Sequence, residues 1–199
     1  SSDVCSSDLW YDGLGTVVDE LSRLSLIVAS EVRMTDPAVA ELVAVRQAVW
    51  PVRANSGNEC VVTRLPVAQG KPLSENVKLQ IAGVRATVNA GWSLLDDLLA
   101  RPGVAPQLVD AFRKGKDTQT RANAGRDALY AQLDGSGKEV ITPAQWTAQC
   151  NSPFNDIMAI ADVASELMAA YGRDAEAAAW RKLAATGGGL ALAVALSML

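Results

Sequence analysis

The sequence predicts an all-α fold, an elongated up-and-down helical bundle running into a C-terminal transmembrane helix, on three observations. Apolar side chains recur at steps of three and four along most of the chain, the spacing that lays a stripe on a helix; the alternation of a half-buried strand is missing. Alanine, leucine and valine dominate while phenylalanine and tyrosine are scarce, a balance that favours helix over sheet. Proline, glycine and capping residues fall between the stripes, where helices start and stop. A chain of 199 residues suits one domain with a sizeable core.

The elements follow in order. From Trp10 to about Met34, Leu14, Val17, Leu21, Leu24 and Val28 form the first stripe. Asp36 followed by Pro37 is an N-cap with proline at the first helical position, where its missing N–H costs nothing. The second helix carries Val39, Leu42, Val43, Arg46 and Val49. Pro51 and Pro66 each remove an internal hydrogen bond, so a kink or break is expected before the Gly70 and Pro72 stop. The third stripe is the clearest: Val77, Ile81, Val84, Val88, Trp92, Leu95 and Leu99, as a bundle seam requires, ending at Arg101-Pro102-Gly103.

A fourth helix is expected from about Pro106 to Leu133, with Leu108, Phe112, Gly115, Ala122, Gly125, Leu129 and Leu133 on one side. Its small residues let a neighbouring backbone come close. Asp134-Gly135-Ser136-Gly137 is a turn. Thr142, Pro143 and Gln145 form a capping box that opens a short helix before Trp146, and Ser152-Pro153 starts a long final one. Phe154, Ile157, Ile160, Ala164, Leu167, Met168 and Tyr171 face inward there, with a loosening at Gly172. After Arg181 and Lys182 no charge remains from Leu183 to Leu199. That run approaches the roughly 20 residues a bilayer core needs and follows two cations, so it reads as the start of a truncated transmembrane helix. The competing reading is a buried C-terminal helix, which Gly187-Gly188-Gly189 favours slightly.

Composition excludes several functions. The formal charge of -4 with mixed signs provides no basic stripe for phosphates, so nucleic acid is not an expected partner. The absence of histidine removes the commonest general base and zinc ligand. No catalytic constellation emerges: Asp96-Asp97 and Glu75 have no partner base, and the glycine triplet lacks the Lys-Ser/Thr of a phosphate loop. Asp134 to Lys138 echoes a calcium loop, but registering its glycine puts Gln132 and Pro143 at the two strongest ligand positions. Neither a metal nor a cofactor is expected, and the chain does not read as an enzyme.

Ser1 to Leu9, Ser-Ser-Asp-Val-Cys-Ser-Ser-Asp-Leu, resembles a common sequencing-library adapter translated in one frame. These nine residues are expected to be non-native, with the bundle spanning 10–182 and the apolar segment 183–199. Setting Cys5 aside leaves Cys60 and Cys150. They lie at similar distances from successive turns and could sit at one height of the bundle. Either they pair in an oxidising compartment or they serve as small core residues.

Arg46 and Arg53 are seven apart, hence on one helix face, with Trp50 beside them and Arg64 and Arg85 as neighbours. Guanidinium forks match small anions and carboxylates, so these five form the candidate ligand site. The competing reading has solvated arginines paired with Glu41 or Glu59.

Val45-Arg46 through Arg53, then Ser56-Gly57-Asn58-Glu59, then Ala68-Gln69-Gly70-Lys71-Pro72-Leu73, then a helix holding Gly91-Trp92 and Leu95, together resemble helical extracytoplasmic sensor domains. Those are similar to nitrate-sensing and chemoreceptor input modules that precede histidine kinase, cyclase or chemotaxis transducer outputs. The likeness covers most of the chain from Trp10 onward. Relatives often carry arginine after the glutamate of the Gly-x-Glu step, where this chain has Cys60. The resemblance implies a homodimeric periplasmic sensor at the bacterial inner membrane, with a small ligand between long helices and a final helix that carries a displacement into the membrane. The alternative is a membrane-anchored structural bundle with no ligand.

Overall fold

The computed structural model describes residues 13, 16–18, 20–21, 23–31, 36–138 and 140–198. Among them there is no strand. The expectations placed on residues 1–9, Trp10, Leu14, Met34 and Leu199 lie outside the described residues. The chain divides into two compact units, Ser1–Val43 and Ala44–Leu199.

In the first unit the described residues from 16 to 31 are helical. Their expected core stripe is not buried: Val17, Leu21, Leu24 and Val28 are each more than half exposed. Val18, Leu26 and Ile27 are exposed as well. Apolar residues thus occur on several sides of this helix, so the three-and-four spacing does not single out one face for burial.

Helix α1, Pro37–Ala68, begins where Asp36 Oδ1 accepts from the backbone N–H of Ala38 at 2.9 Å. It runs unbroken through both Pro51 and Pro66, so of the expected kink or break the break does not occur. Pro51 is exposed, and the opposite face is held by a continuous buried row, Val45, Val49, Val52, Ser56, Glu59, Thr63 and Val67. That tertiary packing outweighs the loss of one hydrogen bond at each proline.

Helix α2, Glu75–Leu99, is capped by Ser74, whose side chain accepts from Val77 N–H at 3.3 Å. Its predicted stripe faces the core: Ile81, Val88, Trp92, Leu95 and Leu99 are buried. Helix α3, Pro106–Tyr130, buries Leu108, Phe112, Gly115, Ala122 and Leu129, and ends three residues before the expected Leu133. The capping box of α4, Pro143–Asn151, is formed in both directions between Thr142 and Gln145. Helix α5, Phe154–Ser197, continues for 44 residues with no interruption at Gly172 or at the glycine triplet.

Within the second unit the pairings give the topology. Glu59 of α1 meets Arg85 of α2, while Gly91 of α2 lies against Val52 of α1, so rising numbers meet falling ones and the two helices are antiparallel. Asp96 and Arg85 of α2 meet Lys116 and Asp127 of α3 in the same opposed sense. Ser56 to Gln119 and Thr63 to Tyr130 run in the same sense, making α1 and α3 parallel diagonals. Helix α5 closes the bundle against α3 at Gly115, where an added Cβ would stand 3.0 Å from the Asp156 carbonyl oxygen. Only a glycine lets these backbones approach so far.

One end is closed by turns. Gly70 adopts φ +57 and packs so tightly on Lys138 that an added Cβ would collide with its carbonyl. Gly70 O also accepts from Gly135 N–H at 3.1 Å. The 134–138 loop is thus a structural plug: Asp134 Oδ1 accepts from Ser136 N–H at 2.8 Å, and the Ser136 side chain first, then this backbone bond, hold the Asp134 carboxyl below its ordinary range. Under it lies an apolar cluster of Cys60, Val67, Leu129, Leu133, Trp146 and Cys150.

The first part of α5 is in the core through Ile157, Ile160, Ala161 and Ala164. Tyr171, expected to face inward, is exposed, as are nearly all residues beyond it. No helix among the described residues is long and apolar enough to cross a membrane. The expected transmembrane start at Leu183 therefore lacks support. Arg181 and Lys182 directly precede the uncharged run, and Thr186 and three glycines dilute its hydropathy.

Candidate functional site

The face that α1 turns inward is apolar at Val45, Val49 and Val52, then polar at Ser56, Glu59 and Thr63. The facing row of α3 does the same, with Gln119 and Arg126 buried at the seven-residue spacing that continues Phe112. The two polar stretches meet in the bundle interior, so each helix satisfies the groups that the other buries.

Glu59 is the centre. Its side chain is 2% exposed, and its two oxygens accept Nε and Nη2 of Arg85 at 3.1 and 2.7 Å. The Tyr130 hydroxyl lies 3.2 Å from Glu59 Oε1 and the same distance from Thr63 Oγ1. Arg85 also donates from Nη1 and Nη2 to Asp127 at 3.2 and 2.7 Å. The Glu59 hydrogen bond, then Asp127, hold the Arg85 guanidinium above its ordinary range despite partial burial. Desolvation pushes the Tyr130 phenol up.

Arg126 has no exposed surface. Its Nη2 donates to Asn123 Oδ1, and Nη1 lies 3.5 Å from Ser56 O and 3.4 Å from Cys60 Sγ. Its Nε is 3.5 Å from Glu59 Oε1, close enough for charge attraction but out of line for a hydrogen bond, so that N–H is buried without an acceptor. Two carboxylates thus face two guanidiniums. Burying such groups costs several kcal/mol per ion unless they are paired, and here each charge has a counter-charge.

Cys60 and Cys150 are joined in a disulfide, with Cα atoms 6.0 Å apart. It ties α1 to α4 across a separation of 90 residues, beside Arg126.

The five residues of the expected anion site are divided among different environments. Arg46 and Arg64 are exposed and Trp50 is half exposed. Arg53 lies 3.4 Å over the Phe154 ring, and partial burial holds its guanidinium below the ordinary range. Arg85 is taken up by Glu59 and Asp127. Helical geometry accounts for the split: Arg64 is five residues beyond the buried Glu59 and so falls toward the other side of α1.

Two clefts open on α3. The larger, about 500 Å³, lies over Leu129 and Trp146's neighbours Gln145 and Gln149. Two of its amides are already employed, Gln145 in the capping box and Gln132 on Ala128 O. The smaller, about 250 Å³, lies between α2 and α3 and is lined by Trp92, Asp96, Lys116, Gln119 and Asn123. Asp96 and Lys116 form an ion pair and are about half exposed. Trp92 is 5% exposed and edge-on to Phe112, ring centroids 5.6 Å apart. Its indole N–H is buried with no acceptor, a state that costs about 1–3 kcal/mol.

Sequence reasoning did not identify Glu59, Gln119, Asn123, Arg126 or Asp127 as a network. The available signal was that Glu59 and Arg126 each interrupt an otherwise core-facing stripe with opposite charges. Comparison with protein-family models, with curated proteins and with solved structures finds no match to this chain.

Proposed function

We propose that the chain is the ligand-sensing helical module of a bacterial membrane signalling receptor, acting as a homodimer on the periplasmic side of the inner membrane. The observation that carries the reading is the continuity of α5. One helix packs on α3 at Gly115 and then runs on, exposed, to an uncharged end. A stiff rod that leaves a bundle can deliver a small shift of its packed end to a distant one.

Three further features support the reading. The Cys60–Cys150 disulfide suits an oxidising compartment outside the cytoplasm. The cleft between α2 and α3, lined by Trp92, Asp96, Lys116 and Asn123, offers room for a small ligand. The motifs that resemble sensor domains, from Val45 to Leu95, fall on α1, α2 and the turn between them, and supply Glu59 to the polar interior. In this reading the uncharged end of α5 approaches the membrane. A bound ligand shifts the helices only by its difference in affinity between two packing states.

A thermal-shift screen of inorganic anions, small carboxylates, amino acids and sugars tests the proposal. At least one class is expected to raise the unfolding temperature in a saturable way. No response from any class would contradict ligand sensing and favour a purely structural bundle.

A further inference from the structure

We propose that the Cys60–Cys150 bridge is a redox switch: a dithiol reductant releases Cys60 as a thiolate held by Arg126 and unties α4, with the start of α5, from α1. This holds whether or not the bundle binds a ligand. The Arg126 guanidinium is fully buried, yet the carboxylate beside it, Glu59, is bonded to Arg85 and approached by Tyr130. The acceptors that Arg126 does reach are neutral: Asn123 Oδ1, Ser56 O and Cys60 Sγ, the last 3.4 Å from Nη1. Its Nε–H has no acceptor. A guanidinium keeps its proton at any ordinary pH, so a buried cation with no hydrogen-bonded anion stands against a sulfur that reduction can make anionic.

The surroundings decide which sulfur ionises. The charged and titratable groups about Cys60 are Glu59 on its own helix, Arg85 on α2, and Arg126, Asp127 and Tyr130 on α3, while α4 presents Trp146 and Cys150. Both carboxylates are bonded to Arg85, Tyr130 holds its proton more tightly than an ordinary phenol, and Arg126 is the group bonded to the sulfur. A thiolate of the dithiol therefore attacks Cys150 Sγ, the S–S bond breaks, and its electron pair leaves on Cys60, whose negative charge Arg126 stabilises. The dithiol's second thiol, having lost its proton to water, attacks the mixed disulfide and closes a cyclic disulfide; Cys150 leaves and takes up a proton. Two electrons have passed to the protein, and a low-molecular-weight disulfide reverses the change. Cys60 and Cys150 are 8% and 5% exposed, so exchange requires a local opening. Helix α4 is suited to it, being nine residues long, too short to persist alone, and bordered at Ala148 and Gln149 by the cleft of about 500 Å³ on α3. Ser152 and Pro153 are all that separates it from α5, so freedom gained by α4 reaches the start of that helix.

The test is made on the full chain carrying Cys5→Ser, with dithiothreitol as the dithiol. The reduced protein is expected to keep its helical circular dichroism, while amide exchange quickens more in α4 than in α2. Alkylation as a function of pH, read for each cysteine by mass spectrometry, is expected to show about tenfold more thiolate at pH 7 for Cys60 than for an ordinary thiol of pKa about 8.5, and no such gain for Cys150. Glu59→Leu combined with Arg126→Met should abolish the gain. Arg126→Gln, which keeps a donor but no charge, should do the same and carries the comparison if the double variant does not fold; the difference between the two thiols of the parent chain decides if neither folds.

Equal titration of the two thiols, or a Cys60 titration that is the same with and without Arg126, would overturn the role of the guanidinium and with it the proposal. Loss of the helical signal on reduction would make the bridge a plain structural link and overturn the switch. Amide exchange in α4 that does not respond to reduction would overturn it as well.

Discussion

Arg126 lies fully buried with its Nε 3.5 Å from the Glu59 carboxylate, and that carboxylate also holds Arg85 from the neighbouring helix. Removing Glu59 strands a buried guanidinium. Glu59→Ala is therefore expected to cost about 3–5 kcal/mol, whereas Glu59→Leu combined with Arg126→Met should cost much less than the sum of the single changes. Urea unfolding of the two singles and the double measures this coupling. Strict additivity would show that the pair is not a unit.

The disulfide closes a long loop, and the chain-entropy relation gives a stabilisation of about 4–5 kcal/mol for one of this length. Cys60 and Cys150 should resist alkylation until a reductant is added. The reduced protein should unfold at clearly lower urea concentration, and free alkylation of both thiols in the untreated protein would refute the link.

Two glycines on helices should respond in opposite directions. Gly83 has open space around a virtual Cβ, while Gly115 faces the Asp156 carbonyl at 3.0 Å. Gly83→Ala should stabilise by about 0.4–1 kcal/mol through helix propensity and chain entropy. Gly115→Ala should destabilise by about 1–3 kcal/mol through overpacking. Thermal unfolding of the two variants reads both signs.

Tyr130 sets a pH dependence. Its folded-state pKa lies above the ordinary phenol value because the ring is desolvated. In alkali the unfolded chain releases this proton from about pH 10 while the folded chain retains it, so stability falls as pH rises past that point. Tyr130→Phe should flatten the alkaline slope relative to wild type. An identical slope would place the titration elsewhere.

The uncharged end of α5 can be tested separately. The chain is expected to co-float with vesicles of phosphatidylethanolamine and phosphatidylglycerol, and Leu192→Lys should release it. A chain that stays unbound in both forms would detach the proposal from the membrane.

Much of the architecture could be read from spacing alone. Ile81, Val88, Trp92, Leu95 and Leu99 are buried as expected, with Val77 and Val84 half-buried, because a clean stripe and a Ser74 cap agree, and Thr142 with Gln145 formed the box their spacing announced. The prolines of α1 do not break it, because local hydrogen-bond loss is visible in sequence while the compensating buried row is tertiary. The apolar run of residues 16–31 misled because period alone does not say which side is covered. The arginine cluster dispersed because Arg85 is held by Glu59 and Asp127, partners 26 and 42 residues away. Trp92 read as core, and its core packing is real. That its N–H is left without an acceptor depends on how α2 and α3 are set side by side, which no local pattern records.

Ligand-driven movement of α5 against α3 is the heart of the account. Nitroxides at Arg113→Cys and Arg173→Cys in a Cys5→Ser background, with the native disulfide intact, report it by pulsed electron resonance. Saturating ligand should move the mean distance by about 1–2 Å, the scale of helix shifts in switching proteins. An identical distance distribution with and without bound ligand would contradict it.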